Sequence, residues 1–67
     1  MTNPNRVREL RGELGLSQEK LAAKADVSTG TIRAIERGHS PRLTTAQRLA
    51  QVLGVSVDDL FPEAIAS

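Results

Sequence analysis

Residues 17–38, SQEKLAAKADVSTGTIRAIERG, constrain the fold of this chain more than any other stretch. Ser17 is a good helix N-cap, with Gln18, Glu19 and Lys20 in the first turn after it. Leu21, Ala22 and Ala25 then fall on one face at helical spacing. The pattern breaks at Asp26-Val27. Ser28 is a second N-cap, Ile32 and Ile35 form a second apolar stripe, and Gly38 is placed to end that helix in a left-handed conformation. Two helices this short are not stable alone, so further helices must cover them. The small side chain of Ala22 lets the second helix cross close to the first. This spacing is the layout of a DNA-reading helix-turn-helix.

The rest of the chain supplies the cover. Asn3-Pro4 predicts the start of a first helix, with Asn3 as N-cap and Pro4 in the first helical position. Val7, Leu10 and Leu14 recur at helical spacing, so this helix is expected to run to about Leu14, with Gly15 closing it. The second and third helices are expected over Gln18 to Ala25 and Thr29 to Arg37. A loop with Pro41 follows. Thr44 predicts the start of a fourth helix, with Gln47 as its capping-box partner. Its inward stripe is Ala46, Leu49, Ala50 and Leu53, and Gly54 ends it. Ser56 caps a fifth helix whose first turn carries Asp58 and Asp59, where carboxylates suit the helix dipole. Val57, Leu60 and Phe61 give its stripe, and Pro62 stops it. The reading is an all-α, compact five-helix domain spanning 1–67, with its core over about 5–61 and a tail at 62–67 that is expected to fray.

On the third helix, Ile32 and Ile35 define the inward direction, which turns Gly30, Arg33, Ala34 and Arg37 outward and leaves Glu36 beside the apolar stripe. On the first helix, Arg11 lies only about 40° from Val7, near the stripe rather than opposite it. A charge in that position needs a partner. Glu36 is the natural mate, and a bidentate pair would tie the first helix to the third.

A 67-residue chain without cysteine has neither disulfide nor thiolate metal site to reinforce it. Helix packing, with dimerisation, must supply the stability. The opening MTNPNRVREL lacks the apolar core of a secretion signal, and no apolar run approaches the roughly 18 residues that cross a bilayer. A cytoplasmic protein with no membrane contact is expected. Net charge is only +1, but it is unevenly spread. All nine Lys and Arg lie in residues 1–48 against five acids, whereas residues 49–67 carry three acids and no base. One end of the domain is basic and the other acidic. Enzyme chemistry finds no footing. His39 is the only histidine and stands in a loop beside Ser40, with no oriented third group. There is no Gly-rich phosphate loop, and the carboxylates do not cluster at ligand spacing, so no cofactor or metal is expected. His39 is left to touch a phosphate or solvent.

From Val7 to Phe61 the chain resembles the phage-repressor and Cro-type (Xre-like) helix-turn-helix family. The resemblance rests on LRGELGLSQEKLAAKADVSTGTIRAIERG (Leu10 to Gly38) and LAQVLGVSVDDLF (Leu49 to Phe61). LGLSQ, ADVS, IERG and LGVSVDDL are specific in combination and weak singly. The resemblance implies that Gln18, which opens the second helix, contacts a phosphate near the edge of the major groove; a plain polar first-turn residue is the alternative. It implies that Ser28 brings the start of the third helix to the DNA backbone, and that Thr29, Gly30, Arg33 and Ala34 face bases. Arg37 matches a phosphate-contacting position, and Thr31 and Arg42 complete the expected DNA-binding set. Arg11 and Glu36 match the family's internal ion pair.

Two departures from the family pattern matter. The turn position often held by Gly is Asp26, which tolerates a left-handed backbone better than most residues but less well than Gly. The reading surface is also sparse. Only Arg33 can make a bidentate base contact, most often to guanine, and a phosphate-only contact is its alternative. Gly30 permits close backbone approach, and Thr29 and Ala34 suit thymine methyls. Specificity then leans on DNA shape. The resemblance implies a sequence-specific regulator of the repressor kind. It would bind a palindromic operator in double-stranded DNA as a homodimer, with half-sites about 34–36 Å apart. The acidic end, with Val57, Leu60, Phe61 and Ile65, is the expected dimer surface; plain core is the alternative, the stronger one for Leu60, while Phe61 and Ile65 stay open. The rival reading is an antitoxin or other partner-binding protein of the same fold.

Overall fold

A computed structural model describes residues 5–62. Its helices run in the order α1 (Val7–Glu13), α2 (Gln18–Ala25), α3 (Thr29–Glu36), α4 (Leu43–Leu53) and α5 (Val57–Leu60). There is no strand among the described residues. The helix stripes converge on one core, in which Val7, Leu21, Ile32, Ile35, Leu49 and Leu60 are the largest fully buried side chains. α2 lies at its centre, packed against α3 on one side and α4 on the other. Ala22 and Ala25 are buried on α2, and Ala46 and Ala50 on α4. These small side chains let the axes approach closely, a packing that helices this short need for stability.

One local device is repeated along the chain. Gly15, Asp26, Gly38 and Gly54 all have positive φ. In each case the next residue's N–H bonds back to a carbonyl five residues earlier: Leu16 to Arg11, Val27 to Ala22, His39 to Ala34 and Val55 to Ala50, at 2.9–3.1 Å. This is the bond that closes a helix through a left-handed residue. In three of the four, the following residue (Leu16, Val27, Val55) packs on the core. In the same three, a serine then caps the next helix. Ser17 Oγ accepts from the Lys20 N–H, Ser28 Oγ from Thr31 and Ser56 Oγ from Asp59, at 3.0–3.1 Å. The strings GLS, DVS and GVS thus each end one helix, drop an apolar anchor and begin another.

Asp26 is the one non-glycine residue with positive φ (φ 58°, ψ 47°) among those described. Its side chain is 94% exposed and its nearest charged partner is Arg48, at 4.0 Å. An exposed pair of that length contributes little. Asp26→Gly is therefore expected to stabilise the domain by about 0.5–1 kcal/mol. Thermal or urea melts of the two proteins measure it. A lower midpoint for the variant would mean that the link to Arg48 outweighs the backbone strain.

Three sequence expectations are corrected. First, α1 begins at Val7, not near Pro4. Asn3 and Pro4 lie outside the described residues, but Asn5 and Arg6 are not helical. Asn5 is buried, and its side chain accepts from the Val7 N–H at 3.0 Å and donates to the Ile35 carbonyl at 2.8 Å. Arg6 N–H donates to the Leu60 carbonyl at 3.0 Å. These tertiary bonds hold residues 5 and 6 in a bend. Second, Leu14 is not core. It caps the C-terminal end of α1, still in helical geometry, and is 53% exposed, because the chain turns away at Gly15 and leaves that end of the helix beside an open hollow. Third, α4 starts one residue earlier than Thr44, at Leu43, with Arg42 as a cap that makes no side-chain bond. No capping box forms. The Arg42 carbonyl accepts from Ala46 N–H at 2.9 Å, so the first helical turn is set by the residue that carries the inward stripe to α2.

At the chain's acidic end the core reading preferred for Leu60 holds, and the dimer-surface reading does not. Leu60 is fully buried and Phe61 is 5% exposed, both in the core, and Val57 packs against it. They do not form an exposed dimer surface; Ile65 and the expected tail beyond Pro62 lie outside the described residues. α5 ends at Leu60, and Phe61 leaves helical geometry (φ −126°, ψ 64°), as the residue before a proline does.

Candidate nucleic-acid interface

The buried faces of α3 dictate its exposed one. Ile32 and Ile35 are in the core, so Gly30, Arg33 and Arg37 emerge on the opposite side, all exposed. Thr29, Thr31 and Ala34 are half-buried on the flanks. α3 therefore stands as a ridge with an open hollow on either side. One hollow is lined by Arg8, Ser17, Gln18, Arg33 and Arg37. The other is lined by Thr31, Ala34, His39, Pro41, Arg42 and Thr45. The sequence-predicted residues are thus gathered on one helix and its two flanks, with Ser28 exposed at the start of the ridge.

The ridge is anchored by a polar network at the base of the first hollow. Arg11 Nε donates to Glu36 Oε2 at 2.8 Å and its terminal nitrogen to Oε1 at 3.2 Å. The other terminal nitrogen of Arg11 donates to the Leu16 carbonyl at 2.9 Å. Glu36 Oε1 also accepts from Gln18 Nε2 at 3.1 Å. The Glu36 side chain is only 6% exposed and that of Arg11 18%. The hydrogen bonds to Glu36 hold the Arg11 guanidinium above its ordinary pKa despite the opposing effect of burial. One carboxylate thus binds α1 and α2 to the end of α3, and Arg11 ties in the loop before α2.

Gln18 makes a second bond. Its Oε1 accepts from Arg33 Nε at 3.4 Å. At the opposite end of α3's first turn, Thr31 Oγ1 lies 2.8 Å from Ser28 Oγ, so both hydroxyls serve the helix start. Gly30 has no such internal duty. A Cβ there would find only Ser28 Oγ, at 3.9 Å, an ordinary contact. Nothing within the domain requires glycine, although glycine inside a helix costs about 0.5–1 kcal/mol relative to alanine.

Charge in this region is unbalanced. Among the described residues, Arg11 is paired with Glu36, but Arg8, Arg33, Arg37 and Arg42 have no carboxylate within 4.0 Å. Arg8 escapes a sequence reading because it looks like any exposed charge on α1; its approach to Arg33 and Arg37 depends on how α1 crosses α3. Asn5 is missed for the same reason. No group of three or more His, Asp or Glu side chains able to hold a metal occurs among the described residues. No helix there is long and apolar enough to cross a membrane.

Known proteins share this arrangement. A helix-turn-helix family model matches residues 7–60. A protein of Methanothermobacter thermautotrophicus described as an uncharacterised HTH-type transcriptional regulator is 47% identical over 57 residues, covering 82% of this chain and 83% of its own. Among solved structures, the restriction-modification controller protein C.AhdI from Aeromonas hydrophila superposes with a TM-score of 0.77 at 37% identity, over 84% of this chain and 86% of that one. SinR, the master regulator for biofilm formation, solved in complex with DNA, superposes with a TM-score of 0.73 at 35% identity, over 78% and 86%. With α2 and α3 forming the paired helices and the match running from α1 to α5, the chain belongs to the Xre- and Cro-like helix-turn-helix family.

Proposed function

We propose that the protein is a sequence-specific DNA-binding transcriptional regulator that places α3 in the major groove. The observation that carries this reading is the α3 ridge itself: Arg33 and Arg37, which meet no carboxylate among the described residues, stand with small residues on a helix whose other face is sealed in the core. A groove about 12 Å wide admits such a ridge. The hollows on either side then receive the two phosphate strands, with Arg8, Gln18 and Arg37 on one and Arg42 on the other. The uncapped start of α4 adds backbone N–H groups beside Arg42, a setting that favours an anion. Gly30, which the fold does not need, gives the backbone its closest approach to base edges. The solved SinR–DNA complex supports the same use of the fold.

The footprint of one such domain is small. We therefore read the active form as a homodimer on a two-fold-symmetric operator, with the regulator acting as a repressor. Selection from a random duplex library is the experiment that tests this. A palindrome with half-sites about one helical turn apart is expected. Arg33→Ala should then flatten the preference at one or two positions, weakening the best site by about 1–3 kcal/mol. An unchanged preference profile would reduce Arg33 to a phosphate contact.

One observation favours a second role, the holding of a protein partner. Leu14 is exposed and lines an open hollow with Leu16 and Val52, none of them on α3. Purification of the untagged protein from its host, followed by mass analysis, would show such a partner as a stoichiometric second chain.

A further inference from the structure

We infer that the hollow formed by Leu14, Leu16 and Val52 is a docking groove for an acidic amphipathic helix of a partner protein. This inference rests on the reading that the domain also holds a protein partner, and it adds the chemistry of the segment held and the residues that hold it.

A single exposed leucine is ordinary. Leu14 does not stand alone, because the hollow beside it is lined by Leu16, Val52 and Lys24. Leu16 and Val52 are half-buried and pack on the core, so the floor is apolar and held in place from beneath. Leu14, 53% exposed, forms one wall. The three come from the end of α1, the loop before α2, and α4, so the groove exists only in the folded domain. Apolar surface gathered in one place and rimmed by polar groups is a feature of interaction sites.

Charge at the rim selects the occupant. Lys24 lines this hollow and also its neighbour, where Arg48 and Gln51 stand on α4 beside Asp26. Among the described residues, Lys24 has no carboxylate within 4.0 Å, and Arg48 meets only Asp26, at 4.0 Å. Asp26 is the one acid lining either hollow among those residues, and Glu13 precedes Leu14 without lining them. Arg48 and Val52 are four residues apart and share one face of α4, so the cationic rim runs alongside the apolar floor. A helix with large apolar residues on one face and carboxylates beside them meets both features at once. A basic segment would face like charge, and a phosphate strand would leave the leucines in water. A second copy of the chain lacks a matching segment among its described residues. Its Asp58 and Asp59 are followed by Leu60 and Phe61, which are buried in its own core.

The groove and the exposed helix can be occupied together. α2 lies between α3 and α4, and no lining residue of the groove belongs to α3. The partner helix seats on the α4 side of α2 while α3 keeps its outer face.

The test uses the full chain and a displayed library of helical peptides of about 16 residues with random surface positions. Selected peptides are expected to share apolar residues at helical spacing and an excess of Asp and Glu. In a nuclear magnetic resonance titration, one such peptide should move the signals of Leu14, Leu16, Lys24 and Val52 and leave those of Gly30, Arg33 and Arg37 in place. Leu14→Gln and Lys24→Glu alter exposed positions, and thermal melts verify that both variants fold. Each should weaken the peptide by about fivefold to tenfold, and changing the peptide's acids to lysine should weaken it at least as much. Leu14→Gln should bind duplex DNA as the parent does.

Equal binding of the lysine-bearing peptide, signals moving on α3 instead, or a library without any binder to the groove would each overturn the inference. Self-association that Leu14→Gln abolishes in sedimentation would overturn it by seating a second copy there. A loss of DNA affinity in that variant would overturn it by making the hollow part of the DNA interface. Protein purified from its host without any second chain removes the partner-holding reading and this inference together. A second chain that stays bound to Leu14→Gln and Lys24→Glu alike keeps that reading and removes only the inference.

Discussion

Glu36→Ala is expected to lower the stability of the domain by about 3–5 kcal/mol, the range for breaking a buried ion pair from one side. Domains of this size are stable by only about 0.05–0.15 kcal/mol per residue, roughly 3–10 kcal/mol for 67 residues, so the variant should lose a large share of its stability. The size follows from what alanine leaves behind. Arg11 would lose two of its three hydrogen bonds and keep only the Leu16 carbonyl, with its charge still mostly buried. Gln18 would lose its link to α3 through Glu36. Urea denaturation followed by circular dichroism measures the loss. Replacing both partners with apolar residues, Arg11→Met with Glu36→Leu, should cost less than Glu36→Ala alone, because no uncompensated charge stays buried. A loss under about 0.5 kcal/mol for Glu36→Ala would place the pair with exposed ion pairs instead.

The second large effect is on DNA affinity. Log affinity for a random duplex should fall with log salt at a slope of about −0.9 per phosphate neutralised. If Arg8, Arg37 and Arg42 each meet a phosphate, a dimer neutralises six, which gives a slope near −5. Between 50 and 200 mM salt, that slope means a loss of about a thousandfold. A monomer on one half-site would show about half the slope, so the titration also reports the number of domains engaged. A flat line would remove the DNA reading. The expectation draws on a structural fact that net charge conceals. With a net charge of only +1, the chain still presents four arginines that meet no carboxylate among the described residues, on and beside α3.

Much of this architecture is local, and local features are legible in a sequence. Ser17, Ser28 and Ser56 cap helices because a short hydroxyl reaches the N–H three residues on, whatever lies elsewhere in the chain. Gly15, Gly38 and Gly54 turn the chain because they accept positive φ. Ile32 and Ile35 are enough to orient α3, since helical periodicity fixes the opposite face once one face is known. The same periodicity placed Arg11 beside an apolar stripe, where a lone charge is untenable.

Relations between helices are another matter. Periodicity gives each side chain an angle about its own axis, but not the distance or tilt of the neighbouring axis. Asn5 therefore looked like part of a helix start, when in fact its amide reaches the Ile35 carbonyl, thirty residues away. Leu14 kept the spacing of a core residue, but its end of α1 stands beside an open hollow. Phe61 stood open between core and dimer surface until the packing of α4 and α5 enclosed it beside Leu60. Gln18 was expected at a phosphate, with no sign in the sequence of its contacts inside the domain. Its bonds to Glu36 and Arg33 exist because α2 crosses α3 close enough for one amide to bridge two side chains about a turn apart. Caps, turns and helix faces follow from bonds and clashes within a few residues. The network that aims the exposed helix follows from how closely packed helices cross, and that crossing is set by the whole core at once.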